Sequence, residues 1–146
     1  MERKGSKLRM PKPLPQSWMW ISMGRAGFVL SAVASSYNSV EDSWNGHELR
    51  AEMQTVGAKS KTAFALLETA RSQIEADLGQ ELTWFNPSDA MTCRAYLRRP
   101  ANLRDQRSWA EYFSWLLQNL EALHRVFAPK VRSLRLPEDA AGDDGR

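Results

Sequence analysis

Apolar and polar positions alternate with period two along three early stretches of the chain. In WMWISMG, residues 18–24, Trp18, Trp20 and Ser22 oppose Met19, Ile21 and Met23, which predicts a strand. GFVLSAVASSY, residues 27–37, is rich in β-branched and small residues and predicts a second strand. The turn Gly24-Arg25-Ala26-Gly27 joins the two as a hairpin. NSVEDSWNG reads as a loop with Asn45-Gly46 as its turn pair. HELRAEMQTV alternates again, with Leu49, Ala51, Met53 and Thr55 on one side and Glu48, Arg50, Glu52 and Gln54 on the other. This predicts a half-buried third strand with a wet face.

From Lys59 the period changes. Phe64, Leu67, Ile74 and Leu78 recur at helical spacing, with Ala63 and Ala70 between them and Glu68, Arg71, Glu75 and Asp77 elsewhere. The pattern predicts one amphipathic helix of about five turns. Gly79 stands where a left-handed C-cap is wanted. Residues 81–85 predict a fourth strand, NPSD a turn, and 91–99 a fifth strand. In the fifth, Met91, Cys93, Ala95 and Leu97 share one face, and Thr92, Arg94, Tyr96 and Arg98 the other. After a loop at 100–107, SWAE fits a capping box with Ser108 as N-cap and Glu111 at the third helical position. Trp109, Tyr112, Phe113, Leu116, Leu120, Leu123 and Phe127 form the apolar stripe of a second helix. Pro129 is expected to kink or end it, with KVRSL adding one more turn. The order βββαββα predicts an α+β two-layer sandwich: a five-stranded, mostly antiparallel sheet with two long amphipathic helices on one face.

The remaining composition sets the boundaries. Residues 1–16 are basic and contain PKPLP, which predicts a flexible arm; residues 17–135 form a single domain, and 136–146 an acidic, disordered tail. A chain of 146 residues buries enough surface to fold without a metal or disulfide. Cys93 is the one cysteine, which fits a reducing cytoplasm. The sequence has no apolar run of membrane-spanning length and no apolar segment behind the basic start, so neither a membrane span nor a signal peptide is expected. The net charge of +3 is unevenly spread. Arg94, Arg98, Arg99, Arg104 and Arg107 lie in a segment whose one acid is Asp105, and Arg125, Lys130, Arg132 and Arg135 follow. A basic stretch of this kind suits an anionic partner such as nucleic acid, or a solvated face.

Three segments carry a family resemblance: LPQSW with GRAGF, then FALLETARSQIEADLGQELTW, then SWAEYFSWLLQNLEALHRVFAPKVRSL. Over roughly residues 14–134 the chain resembles the domain-of-unknown-function family 4268. The resemblance implies a bacterial or archaeal source and a domain often fused to restriction-nuclease-like regions. It implies no activity and transfers no catalytic residue. This chain lacks a nuclease-sized N-terminal region, so it reads as a stand-alone copy or a truncated gene product.

Candidate chemistry is sparse. A metal-dependent nuclease core needs an acid-x-lysine on a strand. The single occurrence is Glu2-Arg3-Lys4, with no strand to hold it. Glu48 and Glu52 with Asp42 nearby could bind magnesium, but Arg50 between them favours an exposed polar face. His47 and His124 lack a second ligand at zinc spacing. The apolar face holding Cys93 predicts an inert core thiol. No nucleophile elbow or phosphate loop is present. Arg25, between glycines on a hairpin, is a candidate anion contact, and Trp44, in an acidic loop, is a candidate partner contact or a cap on the sheet edge.

One constellation points to binding. Arg94, Tyr96 and Arg98 share a strand face and precede Arg99, Arg104 and Arg107, a set that combines phosphate contacts with a stacking ring. The expectation is a cytoplasmic, non-catalytic module that is nucleic-acid-associated or accessory to a nuclease or defence system, with DNA or RNA as partner. It uses no metal or cofactor. The alternative is a protein-interaction or homodimerisation module, and an independent enzyme is the weakest reading.

Overall fold

The computed structural model describes residues 18–35 and 47–136. Strand β1 (Trp18–Ser22) turns into β2 (Phe28–Ser35), and β3 (Glu48–Thr55) follows. Helices α1 (Ser60–Glu68) and α2 (Arg71–Leu78) lead to the short β4 (Thr83–Phe85) and to β5 (Cys93–Pro100). A single 3-10 turn, Gln106–Ser108, then feeds α3 (Trp109–Ser133). The sheet order is β1-β2-β3-β5-β4, with every pairing antiparallel. β5 therefore inserts between β3 and β4, and β4 becomes an edge.

Period-two alternation sorts the sheet into two faces. Phe28, Leu30, Ala32, Leu49, Ala51, Met53, Cys93, Ala95 and Leu97 are buried on one face. They pack with Ala63, Phe64 and Leu67 of α1, Ile74 and Leu78 of α2, and Leu116, Leu120, Leu123 and Phe127 of α3. All three helices thus cover one face, as an α+β sandwich requires.

Four local features differ from the sequence reading. The expected five-turn helix is two helices. The Thr69 hydroxyl donates to Leu66 O at 2.6 Å, and Ala70 N closes a tighter bond to Leu67 O. A side chain bonding back to the helix competes with the regular ladder, and the chain breaks at Ala70 (φ −101°) before resuming. Helix α3 is not ended by Pro129 and runs on to Ser133, which includes the extra turn expected of KVRSL. Ser108 makes no side-chain cap; its hydroxyl donates to Asp105 Oδ2, while Asp105 accepts from Arg107 N and caps the 3-10 turn. Met91 is not on the core face: β5 begins at Cys93, and Met91 is 50% exposed.

The junction after α2 behaves as its glycine suggests. Gly79 is left-handed (φ +79°) and its N–H closes on Glu75 O. Glu75 Oε2 then accepts from Leu82 N at 2.9 Å, Trp84 Nε1 at 3.1 Å and Arg71 Nε at 3.3 Å. Trp84 sits tilted between the rings of Phe64 and Phe127, with centroids 5.6 and 6.3 Å away. One carboxylate therefore fixes how the chain leaves α2 and enters the sheet.

Candidate functional site

The second sheet face carries none of the described helices; β3 and β5 contribute the polar half of their alternation to it, and β2 and β4 add Val29, Val33 and Phe85. Register sets them in rows across the strands. Val29, Gln54, Arg94 and Phe85 form one row, Ser31, Glu52, Tyr96 and Thr83 the next, and Val33, Arg50 and Arg98 a third. Glu48 lies beyond, opposite Ser35 and Pro100.

The predicted wet face of β3 is not wet. Glu48, Glu52 and Gln54 are buried, at 0%, 1% and 6% exposure. The two carboxylates are held by guanidiniums. Arg50 Nη1 donates to Glu48 Oε2 at 2.5 Å and Arg50 Nε to Glu52 Oε2 at 2.6 Å, while Arg98 Nε donates to Glu48 Oε1 at 2.7 Å. Gln54 Nε2 adds a bond to Glu52 Oε1 at 2.6 Å. Burial alone pulls the Arg50 guanidinium down; the hydrogen bond and charge of Glu52, followed by those of Glu48, reverse this and hold it above its ordinary value. Buried charge persists only when paired this completely. Glu48 and Glu52 are thus committed to two arginines. Asp42 lies outside the described residues, and among those described no group of three metal-binding side chains assembles.

The arginines of the predicted binding set separate into three kinds. Arg98 is spent on Glu48. Arg99 points to the helix side, where it pairs with Glu111 at 3.2 Å and lies 5.2 Å from the centre of the Tyr112 ring. Arg104 and Arg107 are exposed on the loop after β5. That loop is pinned from three sides: Leu103 N donates to His47 Nδ1, Asn102 N to the Tyr112 hydroxyl, and Trp109 Nε1 to Leu103 O. Arg107 is 94% exposed and touches Asp105 only at 3.5 Å.

Arg94 is different again. Its guanidinium stacks 5.6 Å from the centre of the Phe85 ring, and its Nε is buried with no hydrogen-bond partner. A buried donor left unpaired costs about 1–3 kcal/mol. Tyr96 stacks beneath Arg50 at 5.7 Å. Exposure rises across the face from buried β3, through half-buried Arg94, Tyr96 and Arg98, to Thr83 and Phe85 on β4, the latter 44% exposed. The face opens toward its β4 edge. Phe85 was not singled out in the sequence; its place opposite Trp84 in the alternation is the signal that could have marked it.

The other sequence candidates have structural places. Arg25 Nη1 donates to Val131 O and Leu134 O, both at 2.7 Å, and so closes the C-terminus of α3. His47 is buried and serves the loop after β5. Cys93 is fully buried, accepting from Ser60 Oγ and donating to Asn86 Oδ1 at 3.3 Å. Trp44 lies outside the described residues. None of the described helices is long and apolar enough to cross a membrane.

The sequence matches a domain of unknown function, DUF4268, over residues 1–131. No curated protein and no solved structure matches it.

Proposed function

The chain belongs to the DUF4268 family, and from that premise we propose that it is a non-catalytic, nucleic-acid-associated module of the cytoplasm. The observation that carries this reading is the sheet face that the described helices leave uncovered, where Arg94 stacks on Phe85 beside the network of Arg50 and Arg98 with the buried Glu48 and Glu52. Among the described residues Arg94 has no ion pair, its Nε has no hydrogen-bond partner, and it lies toward the open side. Arg104 and Arg107 add positive charge on the loop at the other end of β5, whose backbone is fixed, so displaying them costs little ordering entropy. Phosphate contact falls to these three residues; Arg98 and Arg99 serve the fold. Glu48 and Glu52, the nearest approach to a catalytic acid pair, are held by Arg50 and Arg98, which favours a structural role for them.

The test is binding of labelled duplex and single-stranded DNA and RNA across a salt series, wild type beside Arg94→Ala/Arg104→Ala/Arg107→Ala. Phosphate recognition predicts affinity that falls steeply with salt, and a slope reduced by about one for each lost contact. No binding to any of them at low salt sinks the reading.

A second reading has its own observation. Phe85 on β4 and Met91 in the segment before β5 are 44% and 50% exposed, and exposed apolar side chains suit a protein partner or a second copy of this chain. Concentration-dependent mass in solution, lost in Phe85→Ser/Met91→Ser, supports that reading.

A further inference from the structure

We infer that the β4–β5 edge of the open face is a stacking platform for single-stranded nucleic acid, with Phe85 and Tyr96 each taking one base and Arg94 a phosphate between them. The inference rests on the nucleic-acid reading above and specifies the form of the partner. Phe85 pairs with Arg94 and Thr83 with Tyr96, so the two rings are diagonal neighbours on adjacent strands. Diagonal neighbours stand about 7–8 Å apart, room for each ring to receive a separate base. Both rings lie on the face that the described helices leave uncovered, and Phe85 is 44% exposed. The β4–β5 neighbours of these rings are Thr83 and Arg94. On the β3 side Tyr96 stands opposite Glu52, which Arg50 holds. The Arg50 guanidinium lies 5.7 Å from the Tyr96 ring centre, so the ring offers a base its other side. No carboxylate lies in the Phe85–Arg94 row, whose other described members are Gln54, Val29 and Ser22.

Charge complementarity picks the occupant. Among the described residues Arg94 has no ion pair and its Nε has no hydrogen-bond partner, and turning toward a phosphate would satisfy that donor. Its guanidinium is already aligned with the Phe85 ring, so a base on the exposed side of that ring and its phosphate on Arg94 are contacts of one nucleotide. A duplex keeps its bases stacked on each other and cannot offer them to a sheet surface, so the platform selects single strands. An apolar protein segment would use Phe85 but would leave Arg94 unpaired.

The experiment compares three labelled probes of equal length: oligothymidylate, an abasic sugar-phosphate strand, and a duplex. Each is titrated with wild type, Phe85→Leu, Tyr96→Leu, Phe85→Trp and Arg94→Ala, and each variant's thermal unfolding is recorded beside it. The expected result is that oligothymidylate binds about tenfold or more tighter than the abasic strand. Phe85→Leu and Tyr96→Leu each remove most of that advantage without changing the salt slope, Phe85→Trp retains it, and Arg94→Ala lowers the slope by about one. Phe85→Leu alters an exposed side chain, so its effect is readable even where Tyr96→Leu unfolds. Equal binding of oligothymidylate and the abasic strand overturns the platform while leaving phosphate binding intact. Silence from all three probes overturns both. Self-association that disappears in Phe85→Leu, with no preference for thymidylate, assigns the edge to a protein partner and overturns the platform.

Discussion

The Glu75 carboxylate accepts the indole N–H of Trp84 at 3.1 Å, across the turn that Gly79 makes between α2 and β4. The same oxygen takes Leu82 N and Arg71 Nε, and Arg71 lies 5.9 Å from the Trp84 ring centre. The Ile-Glu, Leu-Gly and Leu-x-Trp pattern is therefore one device. Ile74, Leu78 and Leu82 bury the apolar side of the corner, and Glu75 ties its polar side together.

Replacing Glu75 by Ala leaves the Leu82 and Trp84 donors without that acceptor. Trp84 is partly open to water, so the cost should be about 1–2 kcal/mol, the lower part of the range for unpaired donors. Urea unfolding of Glu75→Ala beside wild type measures it. A difference below a few tenths would mean that packing of Trp84 against Phe64 and Phe127 alone holds the corner.

The same carboxylate makes stability depend on acid. The Leu82 N–H, then the Trp84 N–H, and with a smaller share Arg71, hold Glu75 below its ordinary value of 4.5 against the opposing effect of burial. A group depressed on folding stabilises fully above its unfolded value, and that contribution fades as pH falls through the folded one. The melting-temperature gap between wild type and Glu75→Gln should thus be constant near neutrality and shrink as pH drops below about 4.5. A gap that widens in acid contradicts the assignment.

At Gly79 the cost of a side chain is conformational. A Cβ there meets nothing within 4 Å, so Gly79→Ala pays only for the left-handed backbone, about 1 kcal/mol. Asn enters that region more readily, and Gly79→Asn should lose less than the alanine variant in the same denaturation assay.

Much of this corner was legible in the chain because its determinants are local. A change of period from two to helical places the elements, and a glycine after Leu78 ends α2. The break at Ala70 was not legible: Phe64, Leu67, Ile74 and Leu78 keep helical phase across it, and hydrophobic spacing is blind to a Thr69 hydroxyl turning back on Leu66. The candidate face was half legible. Alternation put Arg94, Tyr96 and Arg98 together, but grouping Arg99 with them as a phosphate contact missed that it turns to the helix side and Glu111. It could not show that Glu48 and Glu52 are buried, because whether a charge is wet depends on partners far along the chain. Arg98 reaches Glu48 across 50 positions, and Arg25 reaches Val131 across 106.

That last contact is testable by itself. Arg25 closes two carbonyls at the end of α3, where unpaired C=O groups also concentrate negative dipole charge. Arg25→Ala should cost about 1–2 kcal/mol and speed hydrogen exchange in the last turn of α3 before any effect on β3 or β5. Uniform acceleration across the sheet would mean instead that the hairpin turn, and not the helix end, depends on Arg25.

The buried charge network carries the largest expected effect. Glu48 is fully buried and accepts from both Arg50 and Arg98, whose side chains are 14% and 22% exposed. Glu48→Ala leaves two guanidiniums without their shared carboxylate. Breaking a buried pair costs about 3–5 kcal/mol, and the residual exposure of the arginines argues for the lower end. A loss of about 3 kcal/mol corresponds to a fall in Tm of roughly 10 °C for a chain of this size. Exchanging Glu48 and Arg98 together for Leu and Met removes the charge and its partner at once, and should recover most of that loss, because the desolvation of both ions disappears with them. Thermal unfolding of the single and double variants separates the two cases. If the double variant is no more stable than Glu48→Ala, the network sets the geometry of the β3–β5 pairing and does more than neutralise charge.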